Sequence, residues 1–291
     1  MCKFKFDAIG TSWEIDTPRP LSASVRQAIL GRIESFDAVY SRFRSDSLVA
    51  RIAAADSGGS FQFPDDAPAL FALYDRLYAA TSGAVDPLIG RDLELLGYDR
   101  RYSLTHDPIA IARHSGQRPN WSADIERRDS VIVTQRQLVI DVGAAGKGYL
   151  VDIIAGLLRD EGVGDFVVDG SGDLIHAGSE ILDVGLEHPS DPSLAIGVAR
   201  LKGRALCASA SNRRAWGDFH HVVDGRTGAP VRDVIATWVV ANDALTADGL
   251  ATALFFTQAE DLSASFDFSC VRMFADGRAE ISADFDGELF T

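Results

Sequence analysis

The chain is 291 residues long and 46% hydrophobic, with 26 glycines and 10 prolines, a composition that fits a globular protein with a full core. A net charge of −14 excludes nucleic acid and anionic lipid as expected partners, and any anionic nucleotide must be met by a local pocket of backbone N–H groups, Lys, Arg or a metal. Cys2, Cys207 and Cys270 are odd in number and form no CxxC, so they suggest neither a disulfide framework nor a zinc site, and no apolar run reaches the roughly 18 residues of a membrane span.

Residues 3–16 alternate like two strands broken at Gly10 and lack the apolar segment of a signal peptide. The chain therefore reads as cytoplasmic; an exported form follows only if a leader has been trimmed. Residues 21–40 predict a helix, because Val25, Ile29, Ile33, Phe36 and Tyr40 recur at helical spacing. Residues 66–80 predict a second helix, and 97–130 read as a long polar connection. From 131 the texture is strand-rich. SVIVT and QLVID flank a short turn, a helix starts near Gly148, and GDFVVDG, GDLIHAG and EILDVGLEH follow as short strands. FHHVVDG (219–225) and IATWVVAN read as two more strands, 246–257 as a helix, and CVRMFADGRAEIS as a hairpin turning at Asp276-Gly277. Helices come early and strands then run consecutively, which predicts an α+β fold with mostly antiparallel sheets and packed helices rather than a doubly wound βαβ fold.

Four stretches carry candidate chemistry. VIDVGAAGKGYLVD (139–152) places a small-residue turn with Lys147 between an extended run and a helix; it matches neither GxxxxGK[ST] nor GxGxxG. A Gly-Ala turn lets backbone approach a ligand, and the helix N-terminus favours an anion; a plain strand-to-helix turn is the equal alternative. In TADGLATALFF, Asp248 and Thr252 stand i,i+4 on one face of a largely apolar helix. They suit Mg²⁺, or else a helix cap with a hydroxyl bonded back to the backbone. In FHHVVDGRTGAP, alternation puts His220 and His221 on opposite strand faces before a turn, so that one of them could serve as a general base; two surface histidines are the alternative. TSGAVDP (81–87) and VVDGSGDLIHAG (167–178) set Asp86, Asp169 and Asp173 beside glycines, as turns commonly do.

The order of these stretches resembles the FAD:protein FMN transferases, the ApbE family, from about residue 8 to the C-terminal hairpin. IGTSW resembles the family's M-G-T strand, SRFRSDSLVARI its S-x-[FY]-x-x-x-S segment, and TSGAVDPLIG its G-A-F-D-P-T loop. IDVGAAGKGYLVD resembles D-L-G-G-I-A-K-G-Y-A-V-D, the most specific match. VVDGSGDLIHAG resembles the G-G-D segment, HHVVDGRTGAP resembles H-H-I-I-D-P-R-T-G-x-P, and TADGLATALF resembles A-D-A-L-A-T-A-L.

The resemblance implies a single ApbE-like domain over 1–291, with a T-fold-related architecture. It implies Mg²⁺-dependent transfer of FMN from FAD to a Thr or Ser hydroxyl of a partner protein, with AMP leaving. Carried over by position, Asp248, Thr252 and the carbonyl of Ala144 become metal ligands and His221 the base. Asp86, Gly143, Lys147, Gly170, Asp173, Ser209 and Thr227 line the FAD pocket. No D-G-x-[ST]-G-A-[ST] acceptor run occurs in the chain, so the acceptor is expected in trans. The alternatives on the same scaffold are FAD hydrolysis to FMN and AMP, and flavin binding without turnover. Departures from the family pattern are Ala208-Ser209-Ala210 for T-S-G, Gly225 for Pro, Ile9 for Met and Ala53 for Asn. Gly225 predicts a looser turn, and Ala208 and Ala210 predict altered contacts to FAD.

Overall fold

The computed structural model describes residues 1–290. In chain order, β1 (Cys2–Ala8) and β2 (Thr11–Thr17) form a hairpin that Ile9 and Gly10 turn at positive φ. Helix α1 (Ala23–Tyr40) buries the five apolar side chains its spacing singles out. Helix α2 (Leu48–Ala53) is capped by the Ser47 hydroxyl, which accepts the Ala50 N–H at 3.1 Å; β3 (Gly59–Gln62) and α3 (Ala67–Ala80) follow. A 3₁₀ turn, Pro87–Ile89, leads into α4 (Gly90–Leu95).

The stretch 97–130 is not the unbroken connection expected from its polarity. It holds α5 (Pro108–Ser115), α6 (Trp121–Asp124) and β4 (Glu126–Arg128). Asp107 caps α5 by accepting two backbone N–H groups, and Asn120 caps α6. Strand β5 (Val131–Thr134) forms as expected, but QLVID (137–141) does not form a strand: its Asp141 N–H is donated to the Pro87 carbonyl at 2.8 Å.

Helix α7 (Gly146–Asp160) begins two residues before the expected start. Then come β6 (Phe166–Asp169), β7 (Asp173–Ala177), β8 (Leu182–His188), β9 (Asp191–Leu201) and β10 (Ala205–Ala210). FHHVVDG is not one strand. It is divided between β12 (Phe219–His220) and β13 (Val223–Asp224); β12 pairs with the preceding β11 (Ala215–Trp216) and β13 with the following β14 (Ala229–Pro230). The chain closes with β15 (Val234–Ala241), α8 (Ala244–Ala253), α9 (Ala259–Ser263), β16 (Ser269–Phe274), β17 (Ala279–Ile281) and β18 (Gly287–Leu289).

The chain forms two compact units. The first comprises 1–34, 145–212 and 232–291. Its main sheet has the order β1-β2-β6-β7-β10-β15-β16-β17, every pair antiparallel, and a smaller sheet has the order β18-β9-β8. Leu174, Leu186, Leu206, Trp238, Val271 and Phe285 form one of its apolar clusters. Helices α7 and α8 pack on this sheet through fully buried Leu150, Ile154, Leu158, Leu250 and Leu254. The second unit comprises 35–144 and 213–231, with the sheet β3-β5-β4, a Phe63, Phe71, Tyr74 and Trp121 aromatic group, and a cluster of Leu93, Leu96, Tyr98, Trp216 and Val223. The architecture is α+β and antiparallel, as the order of elements predicts.

Candidate functional site

In the first unit, α8 carries Asp248 and Thr252. Asp243 caps the helix by accepting the Thr246 N–H at 2.7 Å. One turn further, Asp248 is 4% exposed and accepts the Gly148 N–H at 2.9 Å. Gly148 is required there: a Cβ would lie 2.1 Å from the Ala244 carbonyl oxygen and 2.7 Å from the Asp248 Cβ. Helix α7 thus brings its first turn onto α8 at the carboxylate.

Lys147, next in the chain to Gly148, reaches Asp173 at 3.0 Å and donates to the Ser171 carbonyl at 3.2 Å. Burial alone would lower its pKa, but the charges of Asp173 and Asp248 outweigh burial and hold it above the usual lysine value. The ammonium therefore stays charged among carboxylates. The turn beneath it is built by Asp169, which accepts the Gly172 N–H at 2.9 Å, with Ser171 and Gly172 both at positive φ. Gly170 packs tightly on Trp13, where a Cβ would lie 3.0 Å from the ring.

Ser209 lies in β10 opposite Thr237 of β15, and the buried Thr237 hydroxyl donates to the Ala251 carbonyl in α8 at 2.6 Å. The flanking Ala208 and Ala210 pack against the apolar cluster around Trp238. The departure from T-S-G is thus accommodated as core packing, with Ser209 on the opposite face of the strand.

In the second unit, Asp86 accepts the Leu88 N–H at 2.7 Å and the Trp121 N–H at 3.1 Å, so both of its oxygens hold backbone. Burial nevertheless pushes its carboxyl up to about 6. The 224–228 turn docks on the same loop. Gly225 donates its N–H to the Ala84 carbonyl at 2.9 Å, and a Cβ on it would lie 2.7 Å from the Gly83 carbonyl oxygen. The looser turn expected from Gly225 is not found; the glycine permits a close, hydrogen-bonded approach instead. Thr227 is exposed, its hydroxyl accepting the Ala229 N–H at 3.3 Å.

Gly143 donates its N–H at 2.6 Å to Asp141, which turns the chain toward half-buried Ala144. Asp141 in turn is ion-paired with the buried Arg42. Burial alone would raise the Asp141 carboxyl; the charge and hydrogen bond of Arg42, the Gly143 N–H and Arg214 together hold it below the usual range. Arg42 also donates to the Tyr98 carbonyl at 2.7 Å and stacks 4.2 Å from the Phe43 ring. Neither Arg42 nor Asp141 is singled out by sequence reasoning. Asp141 carries a faint signal, a carboxylate two residues before a turn glycine; Arg42 carries none, since its partner is 99 residues away.

The two histidines separate cleanly. His220 accepts the Val222 N–H on Nδ1 at 3.2 Å and donates from Nε2 to the Val231 carbonyl at 2.6 Å, so it fastens the turn. His221 has a buried Nδ1 without a hydrogen-bond partner among the described residues. Burial, followed by the charges of Arg214 and His220, lowers it to about 3. The ring is neutral at physiological pH.

Asp248 and Thr252 carry oxygen donors of the type that hard cations take. Among the described residues no three His, Cys, Asp or Glu side chains gather as a metal cage. A single buried carboxylate with a hydroxyl one turn on suits a hard ion that keeps waters and takes substrate phosphates, as Mg²⁺ does. Among the described residues no helix is long and apolar enough to cross a membrane.

The model of the ApbE family matches residues 9–269. The FAD:protein FMN transferase of Klebsiella pneumoniae is 24% identical over 264 residues, spanning 84% of this chain and 75% of that protein. The FAD:protein FMN transferase of Rhodobacter capsulatus is 25% identical over 268 residues, spanning 88% of this chain and 51% of that one. Among solved structures, the ApbE protein of Thermotoga maritima superimposes with a TM-score of 0.85 at 22% identity over 99% of each chain. The flavin transferase ApbE of Vibrio cholerae does so with a TM-score of 0.83 at 19% identity, over 98% of this chain and 97% of that one.

Proposed function

Since the chain belongs to the ApbE family, we propose that it is an FAD:protein FMN transferase that moves FMN from FAD to a Thr or Ser hydroxyl of a partner protein. The new bond is a phosphoester and AMP leaves. The transfer depends on Mg²⁺, and the whole chain serves as one module. The observation that carries this reading is the buried Asp248 carboxylate, oriented by the Gly148 N–H and flanked by the charged Lys147–Asp173 pair. Phosphoryl transfer asks mainly for positioning and charge neutralisation, and these residues offer both.

Asp248, Thr252 and the Ala144 carbonyl would hold Mg²⁺, which when bound supplies neutralisation of the pyrophosphate charge. Lys147 stays protonated and faces the same charge. His221, neutral at physiological pH, is in the form that accepts the hydroxyl proton of the acceptor. Asp86, Gly143, Gly170, Asp173, Ser209 and Thr227 are assigned to the FAD pocket. Asp86 serves there by shaping the loop, since its oxygens are already engaged.

The acceptor acts in trans and carries a D-G-x-[ST]-G-A-[ST]-like motif. The nearest run in this chain, DGRTGAP at 224–230, ends in Pro230 and is paired within the β13–β14 hairpin. A peptide with the motif, FAD and Mg²⁺ are incubated with the protein and read by mass spectrometry. The reading expects the peptide to gain the FMN phosphoryl adduct with release of AMP, only when Mg²⁺ is present. FMN and AMP without any adduct would replace transfer by hydrolysis, an adduct on Thr227 would move the acceptor into this chain, and intact FAD would overturn the reading.

A further inference from the structure

The N-terminus of α8 is held by an unusual division of labour. An α-helix begins with four N–H groups that have no partner within it. Here the Asp243 side chain takes one of them, accepting from Thr246, while its carbonyl accepts the first bond of the helix itself, from Ala247 at 3.2 Å. Two more belong to Asp152, which lies on another helix, α7. Its oxygens accept the Ala244 N–H at 3.0 Å and the Leu245 N–H at 2.8 Å.

Asp152 and Gly148 are i,i+4 and so share one face of α7. That face meets α8 at two levels one turn apart. Asp152 engages Ala244, and Gly148 donates to Asp248. The ascending order on α7 meets the descending order on α8, so the two helices run antiparallel at this contact. The absence of a Cβ at Gly148 sets how closely they approach. A slip of one residue would move α8 by about 1.5 Å and turn it by about 100°. Asp248 and Thr252 would still share a face of α8, but that face would point elsewhere.

Resting on the transferase reading above, we propose that Asp152 is a positioning residue of the metal site: by fixing the register of α8 against α7, it sets where Asp248 and Thr252 present their oxygens. Burial, and after it the charge of Asp243, push the Asp152 carboxyl up to about 6, an unfavourable place for a group that only caps a helix. Asp243 alone is the ordinary cap; Asp152 adds the tie between helices.

The test is Mn²⁺ binding to the whole chain by calorimetry, with thermal midpoints recorded in EDTA. The variants are Asp152→Ala, Asp152→Asn, Asp243→Ala and Asp248→Ala. Loss of an outer partner of a metal ligand weakens affinity by about 10–100-fold, and that is the expectation for Asp152→Ala. Asp152→Asn, which keeps one acceptor oxygen, is expected to fall between it and the unaltered chain, and it carries the test if the alanine variant does not fold. Asp243→Ala is expected to lower the thermal midpoint while weakening Mn²⁺ far less. Equal weakening by the Asp152 and Asp243 variants, or a lowered midpoint with unchanged Mn²⁺ affinity for Asp152→Ala, would overturn the proposal. Equal Mn²⁺ uptake by the unaltered chain and Asp248→Ala would instead overturn the metal assignment, and the positioning role with it.

Discussion

At the scale of single residues, His221 is the group whose environment most constrains the proposed chemistry. An imidazole lowered to about 3 is always available to take a proton but takes it weakly. The incoming hydroxyl proton is therefore accepted only when negative charge arrives with the substrate, since a nearby anion raises an imidazole pKa. Two consequences can be measured. His221→Gln should slow transfer by roughly 10²–10⁴-fold while leaving the FAD dissociation constant unchanged, the size expected for loss of a general base. The kcat/KM profile of the unaltered protein, which reports free-enzyme groups, should show no acid limb near pH 6.5. A limb there that disappears in the glutamine variant would mean that His221 titrates normally. That His221 and not His220 is the available ring was only half legible in the sequence. The pair was visible, but strand alternation is the wrong geometry for it. The ring that fastens the turn is decided by the Val231 carbonyl, eleven residues from His220. Asp141 and Arg42 both lie in segments that resemble the family's motifs, but their pairing across 99 residues is found only through the fold.

At the scale of elements, the long periodic segments were readable and the short capped ones were not. Helices α1 and α3 and the β1–β2 hairpin bury one face each, so their period is written in the chain. Helix α5 buries no residue and owes its start to Asp107 and Pro108, a local signal that polarity over 97–130 conceals. QLVID is apolar enough for a strand, but Leu138 and Ile140 are buried without a neighbouring strand, which no window of sequence can foretell. The 224–228 turn shows the same limit from the other side. Where relatives of the resembled family carry Pro, Gly225 donates to the Ala84 carbonyl across more than a hundred residues. Gly225→Pro therefore restores the family residue yet removes that donor and brings ring atoms against the Gly83 carbonyl. Leaving a buried carbonyl unsatisfied costs about 1–3 kcal/mol, and urea unfolding should show a loss of that size. An unchanged or raised midpoint would mean that the loop relaxes and that the hydrogen bond is dispensable.

At the scale of the whole molecule, these shifted groups pull the pH dependence of stability in opposite directions. His221 folds with a pKa of about 3 against an ordinary value of 6.5. Between those values the unfolded chain binds a proton that the native one does not, so its contribution is present above pH 6.5 and is lost as pH falls. Asp86 and Asp152 fold at about 6 against 3.8. In the window from 3.8 to 6 the native chain holds protons that the unfolded one releases, so their contribution is present at low pH and is lost as pH rises. Acidification from pH 7 to 4.5 thus subtracts stability through one group and adds it through two. The repulsion that follows from a net charge of −14 changes too, but nearly equally for single variants, and so largely cancels in a comparison at each pH. Urea unfolding of His221→Gln and Asp86→Asn beside the unaltered chain, in EDTA, separates the contributions. Relative to the unaltered chain, His221→Gln should gain stability on going from pH 7 to 4.5 and Asp86→Asn should lose it. Each difference should change by on the order of 1.4 kcal/mol per pH unit where the proton difference is complete. Parallel curves would mean that neither group is shifted, and the neutral imidazole on which the proposed proton transfer depends would then rest on nothing more than its ordinary titration.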